Sequence, residues 1–169
     1  NNLNIDVADN AIISSDSGNA IRSIVANSIN LTINNSGNIE RRSGPVIVLE
    51  APGSDSLLTV NNTGIITNYS IRGFVDADQT AISALDNSGN ELTTLISNTG
   101  SGYINGSIEG NIINIINDSS NGIDANYINS NNKLTITNNS GIINSISINL
   151  GTNNDSHINL NSGEIHGDI

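Results

Sequence analysis

LTITNNSGII, residues 134–143, is the stretch on which the reading of this chain turns. Its opening alternates apolar, polar, apolar, so Leu134 and Ile136 face one side of an extended strand and Thr135 the other. An Asn-Ser-Gly turn follows, and then isoleucine. The same phrase returns as LTINNSGNI from Leu31, LTVNNTGII from Leu58 and INLNSGEI from Ile158, with a looser copy, LTTLISNTGSGYI, from Leu92. A degenerate unit repeated in this way is one supersecondary element, which buries its apolar side only by stacking on its neighbours.

A second apolar element recurs between the copies: NAIRSIV at 19–25, PVIVLE at 45–50, TAISAL at 80–85 and NGIDANYI at 121–128. Each unit therefore reads strand, turn, strand, loop, strand, which is a three-sided coil. The leucines that open the units stand 27 (31 to 58), 34 (58 to 92) and 42 (92 to 134) residues apart, and from Leu134 to Ile158 the step is 24. A constant turn with a variable loop is the mark of a solenoid whose extra residues bulge at one corner. The longest interval has room for an additional coil, because INGSIEGNIINIIN (104–117) carries alternating isoleucines of its own. The expectation is an all-β, single-stranded parallel β-helix over 1–169, a three-sided β-solenoid of about six to seven coils, with loop insertions near 67–80 and 104–120. Stacked at ~4.8 Å per strand, it would be a rod on the order of 30 Å tall. Asn, Ser, Thr, Gly and Ile are all poor helix formers, and no 3.6-residue apolar stripe persists.

The turn assigns two tasks. Gly37, Gly64, Gly100, Gly141 and Gly163 are expected to supply a positive-φ corner that branched residues cannot adopt. Asn35, Asn62, Asn98, Asn139 and Asn161 are expected to stack coil on coil, each amide offering a donor and an acceptor to its neighbours.

Composition narrows the function classes. Asn and Ile each supply roughly 30 residues, far above ordinary usage. Hydrophobic residues, mostly Ile, Leu and Val, reach 36%, enough for a long thin core and too many for a disordered chain. The net charge is −11 with only five basic residues, which removes both nucleic acid and anionic membrane surfaces as partners. There is no cysteine, and no apolar run approaches the ~20 residues of a membrane span, so no insertion into a bilayer is expected of this segment.

The run [L/I]-T-[I/V]-x-N-[S/T]-G-x-I followed by a small-residue and isoleucine strand, from about Ala20 to Ile165, resembles the passenger region of bacterial autotransporters, the type V secreted surface proteins. The resemblance implies a right-handed parallel β-helix, at a bacterial cell surface or secreted, and fits a chain poor in cysteine. Whole passengers are usually several times longer, so a segment of a longer surface protein is expected. Some passengers carry a serine protease, and Ser15-Asp16-Ser17-Gly18 echoes its nucleophile motif. The only histidines, His157 and His166, lie at the far end of the sequence, and a turn is the preferred reading of 15–18. Asp76 and Asp78 in FVDADQ are the nearest approach to a carboxylate pair for glycan cleavage or calcium, and read as a solvated loop.

No catalytic, cofactor-binding or metal-ligating residue is therefore assigned. The insertion from Thr67 to Thr80 is the candidate contact loop, since Tyr69, Arg72 and Phe74 bring aromatic rings and a cation into an Asn/Ser/Ile-rich chain. The leading functional expectation is a non-enzymatic structural or adhesion module, a stalk presenting loops to a surface receptor or glycan on a host or bacterial cell. The alternative is a fibre subunit that self-associates head to tail through end coils whose strands, NLNIDV and EIHGDI, carry no polar cap. A glycan-active β-helix enzyme ranks third.

Overall fold

The computed structural model describes the chain except residues 25–27, 43, 51–55, 69–79, 86–91 and 153–154, together with the side chain of Ile146. The described residues are all-β, without a helix, and every strand pairing is parallel. Successive pairings form three ladders. The first runs through β1 (Asn2–Val7), β4 (Asn30–Asn35), β7 (Leu57–Asn62), β10 (Thr93–Gly100), β12 (Ser107–Ser119), β13 (Gly122–Ser140) and β15 (His157–Leu160). The second runs through β2 (Ile12–Ser15), β5 (Asn38–Arg41), β8 (Ile65–Asn68), β11 (Tyr103–Asn105), β13, β14 (Ile142–Asn149) and β16 (Glu164–Asp168). The third joins β3 (Ile21–Ile24), β6 (Ile47–Glu50), β9 (Thr80–Leu85), β12, β13 and β14. Strands β12, β13 and β14 are long enough to contribute different segments to different ladders, an arrangement compatible with a solenoid.

Side-chain alternation explains the core. On the first ladder Leu31, Leu58, Thr94, Ile113 and Leu134 follow one another in register and are all buried. Two residues on, Ile33, Val60, Ile96, Ile115 and Ile136 make a second buried row. The second ladder adds Ile39, Ile66, Ile104, Ile123 and Ile143, again in register and buried. In the second and third rows every side chain is β-branched with a stiff χ1, and register is fixed because a one-residue slip would turn each isoleucine outward.

Two expectations are corrected here. The frame of the looser copy is set by Thr94 opposite Leu58, not by Leu92. The stretch 104–120, expected as an insertion, is strand: β12 fills the interval between β10 and β13, as its alternating isoleucines allow. At the borders of the other insertion, Thr67 and Asn68 belong to β8 and Thr80 to β9.

Thr94 puts a hydroxyl into an otherwise aliphatic row, and its Oγ1 is buried without a hydrogen-bond partner. An unpaired buried hydroxyl costs about 1–3 kcal/mol. Thr94→Val keeps the branched shape and should raise stability by about 1 kcal/mol in denaturant unfolding, with the slope unchanged.

Candidate functional site

The corner between the first and second ladders carries a continuous row of buried amides. After the two apolar positions of each strand comes an asparagine, and five of these stack: Asn35, Asn62, Asn98, Asn117 and Asn138, all buried. Each Nδ2 donates to the Oδ1 of the next asparagine at 2.8 Å, from Asn35 through to Asn138. The second hydrogen of each amide goes to main-chain carbonyls of the turn. Asn35 reaches Ile65 O, Asn98 reaches Gly102 O and Gly122 O, Asn117 reaches Ser140 O, and Asn138 reaches Glu164 O. Parallel, in-register stacking gives every amide the same orientation, so the chain of donors runs one way.

The ladder has two distinct ends. Val7 occupies the position before Asn35 and offers no donor, so Asn35 Oδ1 is buried with no hydrogen-bond partner. Leu160 lies opposite Asn138 at the other end, where Asn138 Nδ2 donates to Gly141 O and Glu164 O. The membership differs from expectation at two places. Residues 134–141 hold one residue more between leucine and glycine than 31–37, and the pairing takes up the excess with an irregularity between Asn117 and Asp118. Asn138 therefore enters the buried row in place of Asn139. Asn139 instead accepts from Asn161 Nδ2 at 2.7 Å outside the core, so neither Asn139 nor Asn161 belongs to the interior ladder. Asn117 lacks the Asn-Ser/Thr-Gly signature and was legible only from the alternating isoleucines that precede it.

The glycines are corrected as well. Gly100 and Gly141 have positive φ, at 63° and 69°, whereas Gly37, Gly64 and Gly163 do not. What requires glycine at Gly37 and Gly64 is proximity. A Cβ on Gly37 would fall on Ala11 O, and one on Gly64 on Gly37 O and the carbonyl carbon of Ser36. Gly102, rather than Gly100, takes the corner position of Gly64, because Tyr103 N bonds to Gly64 O just as Ile65 N bonds to Gly37 O.

Outside this corner lies a groove of about 690 Å³ whose lining includes Asp9, Ile12, Asn38, Ile65, Tyr103 and Asn121. Its outward row is in register: Ile12, Asn38, Ile65, Tyr103. Ile12 and Ile65 are 63% and 37% exposed, and so present aliphatic surface to the groove. The Tyr103 hydroxyl donates a long hydrogen bond of 3.5 Å to Asp124 Oδ2. Burial, the negative charge of Asp124 and this bond together hold the phenol above its ordinary pKa. The folded protein thus keeps the Tyr103 proton longer than the unfolded chain, a contribution to stability present below pH 10.0 and lost as pH rises through the folded value. Tyr103→Phe should flatten the decline in melting temperature above pH 10, measured against the parent chain.

The other candidates stay apart. Tyr69, Arg72 and Phe74, like Asp76 and Asp78, fall outside the described residues. Ser15 Oγ donates locally to Ser17 O and Gly18 O, a turn arrangement on β2. His157 and His166 sit on β15 and β16, at the opposite end of the ladders, where His166 Nε2 meets Glu164 at 2.8 Å and Nδ1 meets Asn144 Oδ1 at 3.1 Å. Comparison with protein-family models, curated proteins and solved structures finds no match to this chain.

Proposed function

We propose that the chain is a right-handed, three-sided β-solenoid of about six to seven coils serving as a non-enzymatic structural and adhesion module at a bacterial cell surface, an autotransporter-like stalk that presents contacts to another cell. The observation that carries this reading is the parallel pairing of successive strands in three ladders, with aliphatic rows and an amide row inside. Such a body is stiff because, among the described residues, each layer is tied to the next by main-chain pairing on three ladders. The proposed surface setting draws on the resemblance of the repeat and on its freedom from cysteine; the acidic net charge keeps such a body soluble.

Two measurements test it. An antibody to the chain should label intact producing cells without permeabilisation, and beads coated with the protein should adhere to cultured host or bacterial cells above albumin-coated beads. Labelling only after permeabilisation would overturn the surface assignment. Density from electron microscopy or crystallography would reveal the handedness, and a left-handed winding would remove the autotransporter-like part of the proposal.

A further inference from the structure

We infer that the groove along the first corner binds an uncharged oligosaccharide in extended form, its sugar rings laid along the row Ile12, Asn38, Ile65, Tyr103. This deepens the contact role proposed above and rests on it. The row repeats at about 4.8 Å, the spacing of stacked strands, and alternates an apolar plate with a hydrogen-bonding group. A pyranose ring has the complementary make-up, an apolar C–H face and a rim of hydroxyls. Tyr103 supplies the aromatic plate with a polar tip, Ile12 and Ile65 supply exposed aliphatic surface, and Asn38 offers both a donor and an acceptor. Asn121 and Asp9 add polar groups along the same groove.

Other ligand classes fit less well. A peptide strand needs a free main-chain edge, but here the edge groups are already used: Asn38 N donates to Ala11 O, Ile65 N to Gly37 O and Tyr103 N to Gly64 O. A sulfated or phosphorylated polymer needs cations, yet the lining contains no lysine or arginine and does contain Asp9. A lipid chain would cover Asn38 and the Asp9 carboxylate without offering either a hydrogen bond. An uncharged glycan leaves none of these conflicts. Gly37 and Gly64 also line the groove, where the layers meet backbone to backbone. A row built on paired strands is ordered before the ligand arrives, which limits the entropy lost on binding.

The test is titration calorimetry of the full chain with tetrasaccharides of β-linked glucose, N-acetylglucosamine and mannose, and with heparin as a polyanion. At least one neutral tetrasaccharide should saturate the protein with a Kd that is insensitive to salt, and heparin should not bind. Tyr103→Ala should weaken binding ~10-fold or more, since stacked aromatics dominate such contacts. Tyr103→Phe should retain most of the affinity, and Thr135→Ala on the outer side of the first ladder should change nothing. Ile65→Lys, at an exposed position that leaves the core intact, should obstruct the groove and guards against a Tyr103→Ala variant that merely unfolds. The inference is overturned if no neutral probe binds, if binding survives both Tyr103→Ala and Ile65→Lys, or if heparin alone binds. Bead adhesion separates this failure from that of the parent reading. Adhesion that persists in both variants, with no tetrasaccharide bound, sinks the groove and leaves the adhesion module standing. Tetrasaccharide binding without any bead adhesion does the reverse.

Discussion

Asn98→Val is expected to destabilise the protein about 2 kcal/mol more than Asn35→Val, although both replace a buried ladder asparagine with the same smaller apolar residue. Asn98 sits mid-ladder. Its removal takes the donor from Asn117 Oδ1 and strands that buried acceptor, removes one acceptor from Asn62 Nδ2, and leaves Gly102 O and Gly122 O without the amide. An additional buried, unsatisfied acceptor costs about 1–3 kcal/mol beyond the bonds themselves. Asn35 is the terminal member, and its own Oδ1 is already unpaired. Asn35→Val transfers that side-chain deficit to Asn62 Oδ1 and takes the amide from one carbonyl, Ile65 O, where Asn98 serves two, and it places valine against Val7, which already occupies the preceding layer. Urea or guanidinium unfolding of the two variants measures the difference, with the parent slope as the check on two-state behaviour. Equal costs would mean that the amide row contributes as independent pairs, without the directional dependence its geometry implies.

How far the sequence exposed this arrangement depends on the residue. The Leu and Ile rows were legible because alternation with a period of two survives any variation in loop length, and Leu31, Leu58 and Leu134 fall where their pattern puts them. The interior role of Asn35, Asn62 and Asn98 was legible for a related reason: each follows the last apolar residue by two. The order of Asn138 and Asn139 was not, because identical neighbours cannot reveal which of them absorbs an added residue. Register is settled by the isoleucines on either side of the corner, Ile136 and Ile143, which must both reach the core. The frame at Leu92 was misread for the opposite reason. Leu92 resembles the other strand-opening leucines and is itself buried, while the true equivalent, Thr94, is polar and a poor match by residue type. The groove could not be read from any local motif. Its row draws Ile12, Asn38, Ile65 and Tyr103 from four separate strands, and only the pairing brings them into line.

The glycines give the second large effect, and it runs against the usual expectation for turns. If positive φ were the constraint, Gly100→Ala would be the damaging change and Gly64→Ala a mild one. The backbone argues for the reverse. Gly100 has φ of 63° but open space around it, so an alanine there meets only the intrinsic left-handed penalty of about 1–2 kcal/mol. Gly64 has an ordinary φ, and its Cβ would overlap the Gly37 carbonyl and the Ser36 carbonyl carbon, which are main-chain atoms of the neighbouring layer. Those atoms cannot withdraw independently. Gly37 O accepts from Ile65 N at 2.8 Å, Asn35 O accepts from Gly64 N at 3.1 Å, and Tyr103 N binds Gly64 O at 2.8 Å, so three layers are clamped at the corner. Relieving the overlap means spreading layers whose separation is set by hydrogen bonds, and the amide ladder beside them would lengthen as well. The expected cost of Gly64→Ala is about 3 kcal/mol or more, at or beyond the upper end for overpacking. Thermal and denaturant unfolding of the two alanine variants, made singly, decides it. Should Gly100→Ala prove the more damaging, backbone conformation and not close approach would be what selects glycine at these turns, and tight stacking of the layers through this corner would lose its main physical support.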